Sequence, residues 1–510
     1  MKAYKIILKV MMMATLLFSI TSCKKNLEDV VPQNALSLSS VLTDAGAAQT
    51  LYNGVYSDLR TYMPTLFNLG EMRSDIWTDG VFTESGDATS TQYYTHNISA
   101  LNVPAGNWAN FYNLLYQVNN VIKLFPQCPL PAAQRDRELA EMYGIRAYIY
   151  YTMMKTWGAV PLTTEPVTTV TSAADTYKAR TAADTILIQV KGDIEKSLTL
   201  FNGNNSFATG NRVYWNRVAT LTLKGDVYLW SGTLMSGGNA DLTVAQTALQ
   251  EVKNLQSAAL NLDANYPDIF DPAKKANNPE IIFALNYELQ QAQNTYFQSI
   301  FTINGGNALL LSFSTAVGAP TVAQTYPYVQ GANRVGLNAT MLARLTSGPA
   351  DQRINGSFKV MYASGTSSVR GEMLTKWVGV VNGSSQLYNN DYPIYRYADV
   401  LLLLAEAKTK LGQDPSAEIN QIRARAYGAS APAFVNGSVD ANLNAILEEY
   451  LREFIGEGKR WWALRRAGDQ YVYNNIKPAY LSPGTTAKLL LPITSAMLNN
   501  DPLLKQTTGY

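Results

Sequence analysis

Glu449, Glu453 and Glu457 recur every fourth residue near the C-terminus, with Arg452, Arg460, Arg465 and Arg466 around them. Paired carboxylates are the equipment of a glycosidase, but that chemistry needs two groups facing each other across a cleft, about 5 to 9.5 Å apart. Side chains four apart lie on one helix face instead, here beside the apolar stripe Leu447, Tyr450, Leu451, Phe454 and Ile455. They read as structural ion pairs. Arg396, Asp399 and Glu406 read the same way, because Val400 to Ala405 is apolar almost all round and must be buried. His96 is the only histidine, and Cys23 and Cys128 are the only cysteines. A His-dependent triad, a multi-histidine metal site and a CxxC pair therefore cannot be assembled. No phosphate-binding or dinucleotide-binding glycine string and no HExxH string occurs. The residues predict no enzyme, no cofactor and no metal site, with His96 an ordinary polar loop residue.

Aromatic residues offer a different chemistry. The chain has 31 tyrosines and 8 tryptophans, while charged residues make up only 16%. A sugar presents a face of C–H bonds edged by hydroxyls, so an aromatic ring can cover the face while Asn, Asp or Arg takes the edge. Trp77 lies outside any helical period, flanked by Asp75 and Asp79, with Gly80 close behind. Tyr93 and Tyr94 are expected in a second loop, and Tyr287, Tyr296 and Trp377 in irregular segments further on. Each of these rings either meets a ligand or packs in the core. Trp108, Trp157, Trp461 and Trp462 fall on helical segments and are assigned to the core.

The N-terminus sets the compartment. Lys2, Lys5 and Lys9 precede an 11-residue apolar stretch, Val10 to Ile20, which is too short to span a bilayer. Ile20-Thr21-Ser22-Cys23 follows. That tetrapeptide resembles a bacterial lipobox, which implies acylation of Cys23 and cleavage before it; the alternative is a secretory peptide that merely contains a cysteine. Removing residues 1–22 takes away three lysines and no acids, so the formal charge of +2 becomes 38 − 39 = −1. A nearly neutral surface favours neither nucleic acid nor an anionic lipid face as partner. With one thiol beyond Cys23, no internal disulfide framework is available, and the core alone must hold the fold.

The elements that position these residues fall into two helical blocks, 44–257 and 393–510, around an irregular insertion, 258–392. In the first block Asn107 to Phe125, Arg135 to Trp157 and Val213 to Trp230 read as helices. Thr181 and Asp184 suggest a capping box ahead of Ile186, Val190, Ile194 and Leu198. The insertion is rich in Asn, Gly, Ser and Tyr, with short apolar runs such as Ile281–Leu285 that suggest strands. Helices are expected to resume at Pro393, with Ile394 to Leu411, a helix opened by Asp414-Pro415, and a last one from Asn442 to Arg466. Gly158, Gly232 and Gly412 each look like a helix terminator, and the successive helix pairs resemble interrupted tetratricopeptide repeats.

Four strings make the resemblance specific: Glu141–Tyr148 running to Trp157-Gly158-Ala159-Val160-Pro161-Leu162; Tyr392-Pro393-Ile394-Tyr395-Arg396-Tyr397-Ala398-Asp399 to Ala407; Glu453-Phe454-Ile455-Gly456-Glu457-Gly458-Lys459-Arg460-Trp461-Trp462 to Arg466; and Leu491-Pro492-Ile493-Thr494 to Tyr510. Together they resemble the RagB/SusD family across almost the whole mature chain. Ala463 and Thr494 depart from the family's usual aspartate and proline. The resemblance implies a mainly α fold, a tetratricopeptide-like helical-repeat superhelix with a loop-rich, substrate-facing insertion holding a few short strands. It implies residues 1–22 as signal peptide, 23–43 as tether and 44–510 as one domain. It also implies a surface-exposed lipoprotein of the outer membrane that captures an oligosaccharide and passes it to a SusC-like TonB-dependent transporter. Peptide or glycopeptide capture and a protein-binding scaffold are the competing readings.

Overall fold

The computed structural model describes residues 39–82, 86–167, 169–207 and 210–510. Cys23, the signal segment and most of the tether lie outside the described residues.

Helix α1 (Ala45–Thr61) opens on Asp44, whose carboxylate accepts from the amides of Gly46 and Ala47. The first block continues with α2 (Ala88–Tyr94), α3 (Ala109–Leu124), α4 (Ala132–Trp157), α5 (Ala183–Phe201), α6 (Arg217–Leu234) and α7 (Gly238–Asn254). The second holds α8 (Tyr397–Lys410), α9 (Ser416–Tyr427), α10 (Val439–Phe454) and α11 (Arg460–Ala467). Helices α3 to α7 pack each on the next, and α7 hands over to α8, which also meets α6, α9 and α10. This is the mainly α, tetratricopeptide-like frame that the helix pairs predict. Helix α8 is buried from Tyr397 through Ala407, as its all-round apolar sequence requires; each fully buried Leu or Val contributes about 1.5–3 kcal/mol.

The insertion is pinned at both ends. Strand β2 (Ile281–Leu285) pairs antiparallel with β9 (Tyr392–Arg396), close to the helical frame. Between them lie β3 (Leu311–Ser312), β4 (Val335–Leu337), β5 (Phe358–Ala363), β6 (Val369–Leu374) and the hairpin β7 (Val380–Asn382) and β8 (Ser385–Leu387). Strands β3, β5 and β6 form one antiparallel sheet. Strand β4 leaves the insertion to pair with β1 (Trp77–Asp79) of the first block. Two cores result: a large one running through frame and insertion, and a small one of Ile303, Ala308, Leu311, Val322, Met361, Met373 and Val378 inside the insertion.

Several local expectations are corrected. Ile394 belongs to β9, and α8 starts only at Tyr397, because the continuous apolar run hides the change from strand to helix. Thr181 caps nothing; it exchanges backbone hydrogen bonds with Val160, and α5 begins at Ala183 with Ala182 as its cap residue. Gly158 and Gly412 do follow their helices with positive φ, 72° each, but Gly232 lies inside α6. A Cβ there would stand 2.8 Å from the Gly238 carbonyl oxygen and from Leu242, so this glycine permits the close approach of α7. The predicted helix 442–466 is two helices, α10 and α11, with a turn at Ile455–Lys459 between them. Further short helices follow, at Asp469–Asn475 and Ser495–Asn500.

Candidate functional site

The acid–arginine cluster forms a buried lattice at the junction of frame and insertion. Arg396 at the end of β9 donates through Nε to Glu457 (2.9 Å) and through its terminal nitrogens to Glu280 and Glu453. Arg425 pairs with Glu280 (2.9 Å) and Glu453, Lys376 with Glu457 (2.8 Å), and Arg353 with Asp351 (2.8 Å) and Glu449 (2.7 Å). Burial raises the Glu453 carboxyl, but Arg425, Arg396 and Arg353 outweigh it and hold the group well below the carboxylate range. These side chains are closed to solvent; no substrate reaches them, and the structural reading of the acids matches their geometry. Glu457 sits in the turn after α10 rather than on that helix. The turn is clamped by Glu71, which accepts from the amides of Gly456 (2.8 Å), Gly458 (3.0 Å) and Lys459 (3.1 Å).

Among the expected ligand residues, most are enclosed. Trp77 is 5% exposed. It lies in β1 opposite Leu337, with its ring tilted on Phe301 at 4.9 Å between centroids. Trp377, 2% exposed, stacks on Phe297 at 4.8 Å and donates its indole N–H to the Gly456 carbonyl. Tyr296 meets Phe297 and Phe67 edge-on and donates to Asn68. Trp77, Tyr296 and Trp377 are thus brought together, but through Phe297 and Phe301 as one packed aromatic block. Tyr287 is buried with its hydroxyl on the Arg60 carbonyl. Tyr93 and Tyr94 are buried too, and both belong to α2 rather than to a loop. Asp75 is held bidentately by Arg460, at 2.9 Å on each oxygen. His96 lies in the turn after α2, as a loop residue, but is buried: Nε2 lies 3.0 Å from the Arg73 carbonyl, and the ring rests on Trp461 at 5.4 Å. Desolvation, with the Arg73 cation beside it, lowers its pKa to about 3.

Only the outer end of the β1–α2 unit opens to solvent. Asp79 is exposed and accepts from the Tyr94 and Thr91 hydroxyls. The next residues, Val81 and Phe82, lie over Gly371 of β6. Phe82, Phe313 and Tyr326 are half-buried rings resting on the small core of the insertion. Phe313 and Tyr326 meet edge-on at 5.9 Å, with the Lys359 ammonium 5.5 Å from the Phe313 ring. The insertion thus carries partly open rings with an amine beside them, and the exposed Asp79 carboxylate lies three residues before Phe82. The aliphatic residues Leu309, Leu310, Val317 and Val369 are exposed on the insertion, and Val81 beside it. Of the residues singled out in the sequence, Asp79 is the exposed one here; Phe82, Phe313 and Tyr326 were not singled out, because their openness depends on a second core that no local pattern announces.

A groove of about 690 Å³ lies elsewhere, beside α3, lined by Tyr112, Tyr116 and Tyr177 with Asn113, Lys178 and Asp501. Among the described residues there is no group of His, Cys, Asp and Glu arranged to hold a metal ion, and no helix long and apolar enough to cross a membrane.

Residues 321–510 match the profile of the SusD family, and residues 29–229 match one described as "Starch-binding associating with outer membrane". SusD-like protein P38 of Formosa agariphila is 25% identical over the whole of both chains. Bacteroides fragilis NanU superposes with a TM-score of 0.83 and 32% identity, covering 94% of this chain and 99% of that one. A SusD superfamily protein from Bacteroides vulgatus gives 0.80 and 30%, covering 92% and 99%. The chain belongs to the SusD family. Membership places it among glycan-binding proteins associated with the outer membrane, not among enzymes.

Proposed function

We propose that the protein is a surface lipoprotein, anchored through Cys23, that captures an oligosaccharide and delivers it to a SusC-like TonB-dependent transporter. The observation that carries the capture step is the insertion face. Phe82, Phe313 and Tyr326 offer ring faces to pyranose C–H surfaces, while Asp79, Thr91 and Lys359 supply polar groups for hydroxyls. Ring faces flanked by hydrogen-bonding groups support a sugar over a peptide ligand. The exposed aliphatic residues of the same insertion support its docking against a partner. A nearly neutral mature chain leaves membrane attachment to the acyl groups, and a lipobox pathway that adds more than one gives stable anchoring. A glycan array probed with the full-length protein in mild detergent tests the capture step, and co-purification of a large barrel protein tests the partner. Binding of peptides in place of glycans would overturn the ligand class.

A further inference from the structure

The helical frame carries a second concavity, lined by none of the residues of the insertion face. A pocket of about 450 Å³ opens between α1, α4 and the segment entering α6. Glu138 and Glu141, one turn apart on α4, form one wall and are 0% and 3% exposed. Glu141 Oε2 accepts from the hydroxyls of Tyr52 and Tyr56, 2.5 Å each. Glu138 accepts from Gln49 (2.9 Å) and Gln134 (3.0 Å). The cation at these two carboxylates is Arg137, 3.2 Å from Glu138 and 3.5 Å from Glu141, and its side chain is 53% exposed. Among the described residues neither carboxyl therefore has a buried cation beside it, an arrangement that favours a cationic ligand.

The opposite wall is aromatic. Tyr214, 41% exposed, lies parallel to Tyr52 (6.1 Å, 9°) and edge-on to Tyr56 (5.0 Å, 78°). Three tyrosines beside a carboxylate make the surroundings that attract an organic cation. Past Tyr214 and Asn53 a second chamber of about 350 Å³ continues, lined by Arg60 and Asn286. The side-chain oxygen of Asn286 is buried and has no partner among the described residues.

We propose that this double pocket is a binding site for a sugar bearing a free amino group. Its ammonium lies against Glu141 and the tyrosines, its ring against Tyr214, and its hydroxyls in the chamber of Asn53 and Asn286. Burial holds the Glu141 carboxyl up at about 7, so it is ready to ionise when a cation arrives. The site shares no residue with the insertion face, so it stands or falls separately from the capture reading.

The test is calorimetric titration of the full-length protein at pH 7 with glucosamine, N-acetylglucosamine and butylamine, with Trp215 in the pocket wall as an optical check. Glucosamine should bind, at least tenfold more tightly than either of the others. Glu141→Gln should weaken it about tenfold and Tyr214→Ala several-fold; thermal melting of each variant identifies a fold defect, and Tyr214, being exposed, can be removed without opening the core. Phe313→Ala should leave glucosamine affinity unchanged. Equal binding of N-acetylglucosamine, equal binding of butylamine, no binding of glucosamine, or full affinity in a folded Tyr214→Ala would each overturn the proposal.

Discussion

Trp77 shows how one residue divides the two readings of an aromatic chain. Its neighbours Asp75 and Asp79 made it a candidate sugar platform, yet Asp75 belongs to Arg460 and the ring to Phe301. The reason was not visible locally, because the strand that covers Trp77 lies some 260 residues further along the chain. Trp77→Ala is expected to cost about 3–5 kcal/mol as a core truncation, lowering the melting temperature by several degrees while glycan affinity holds. His96 gives a second residue-level test. Its folded pKa is depressed below the ordinary 6.5, so its contribution to stability is fully present above pH 6.5 and is lost as pH falls toward about 3. Denaturant titrations from pH 7 to 4 should show the wild type losing stability relative to His96→Gln. Down to pH 4 the change is bounded at roughly 3 kcal/mol, at about 1.36 kcal/mol per pH unit below 6.5; a gap independent of pH would exclude a neutral buried imidazole.

At the scale of elements, the long helices were legible and their junctions were not. Segments such as Ala109–Leu124 and Ala132–Trp157 repeat apolar residues at helical spacing and end where proline or glycine demands. The break between α10 and α11 was hidden, because what ends the helix is remote: Glu71 gathers the amides of Gly456, Gly458 and Lys459. The turn passes so near the segment Asn68–Met72 that a Cβ on Gly70 would stand 1.7 Å from the Gly458 carbonyl oxygen. Gly70→Ala is therefore expected to destabilise at the upper end of the roughly 1–3 kcal/mol of overpacked cores. Chemical unfolding reads this directly, and a neutral effect would show that the turn can move away. The buried lattice around Arg396 was anticipated from its acids and arginines, since charges inside an apolar run have to meet each other.

At the scale of the whole molecule, motif order and a lipobox-like N-terminal segment pointed to the family, while the proposed ligand face depends on how the insertion folds. Strands β3, β5 and β6 build a small core of their own, and its half-covered rings are the open ones. No periodicity distinguishes such rings from the enclosed block of Trp77, Tyr296 and Trp377. The anchoring proposal predicts that Cys23→Ala moves the protein from the membrane to the soluble fraction in cells lacking the transporter; continued membrane retention would contradict it. The claim that matters most is that glycan is held at the insertion face. It is tested most directly by comparing the glycan affinity of the wild type with that of Phe313→Ala/Tyr326→Ala, with melting recorded on both. The account predicts a loss of at least tenfold, as two ring contacts at roughly 0.5–1.5 kcal/mol each plus their buried area require, with the main melting transition kept. Unchanged affinity in the folded double variant would contradict it and move the site to the groove beside α3.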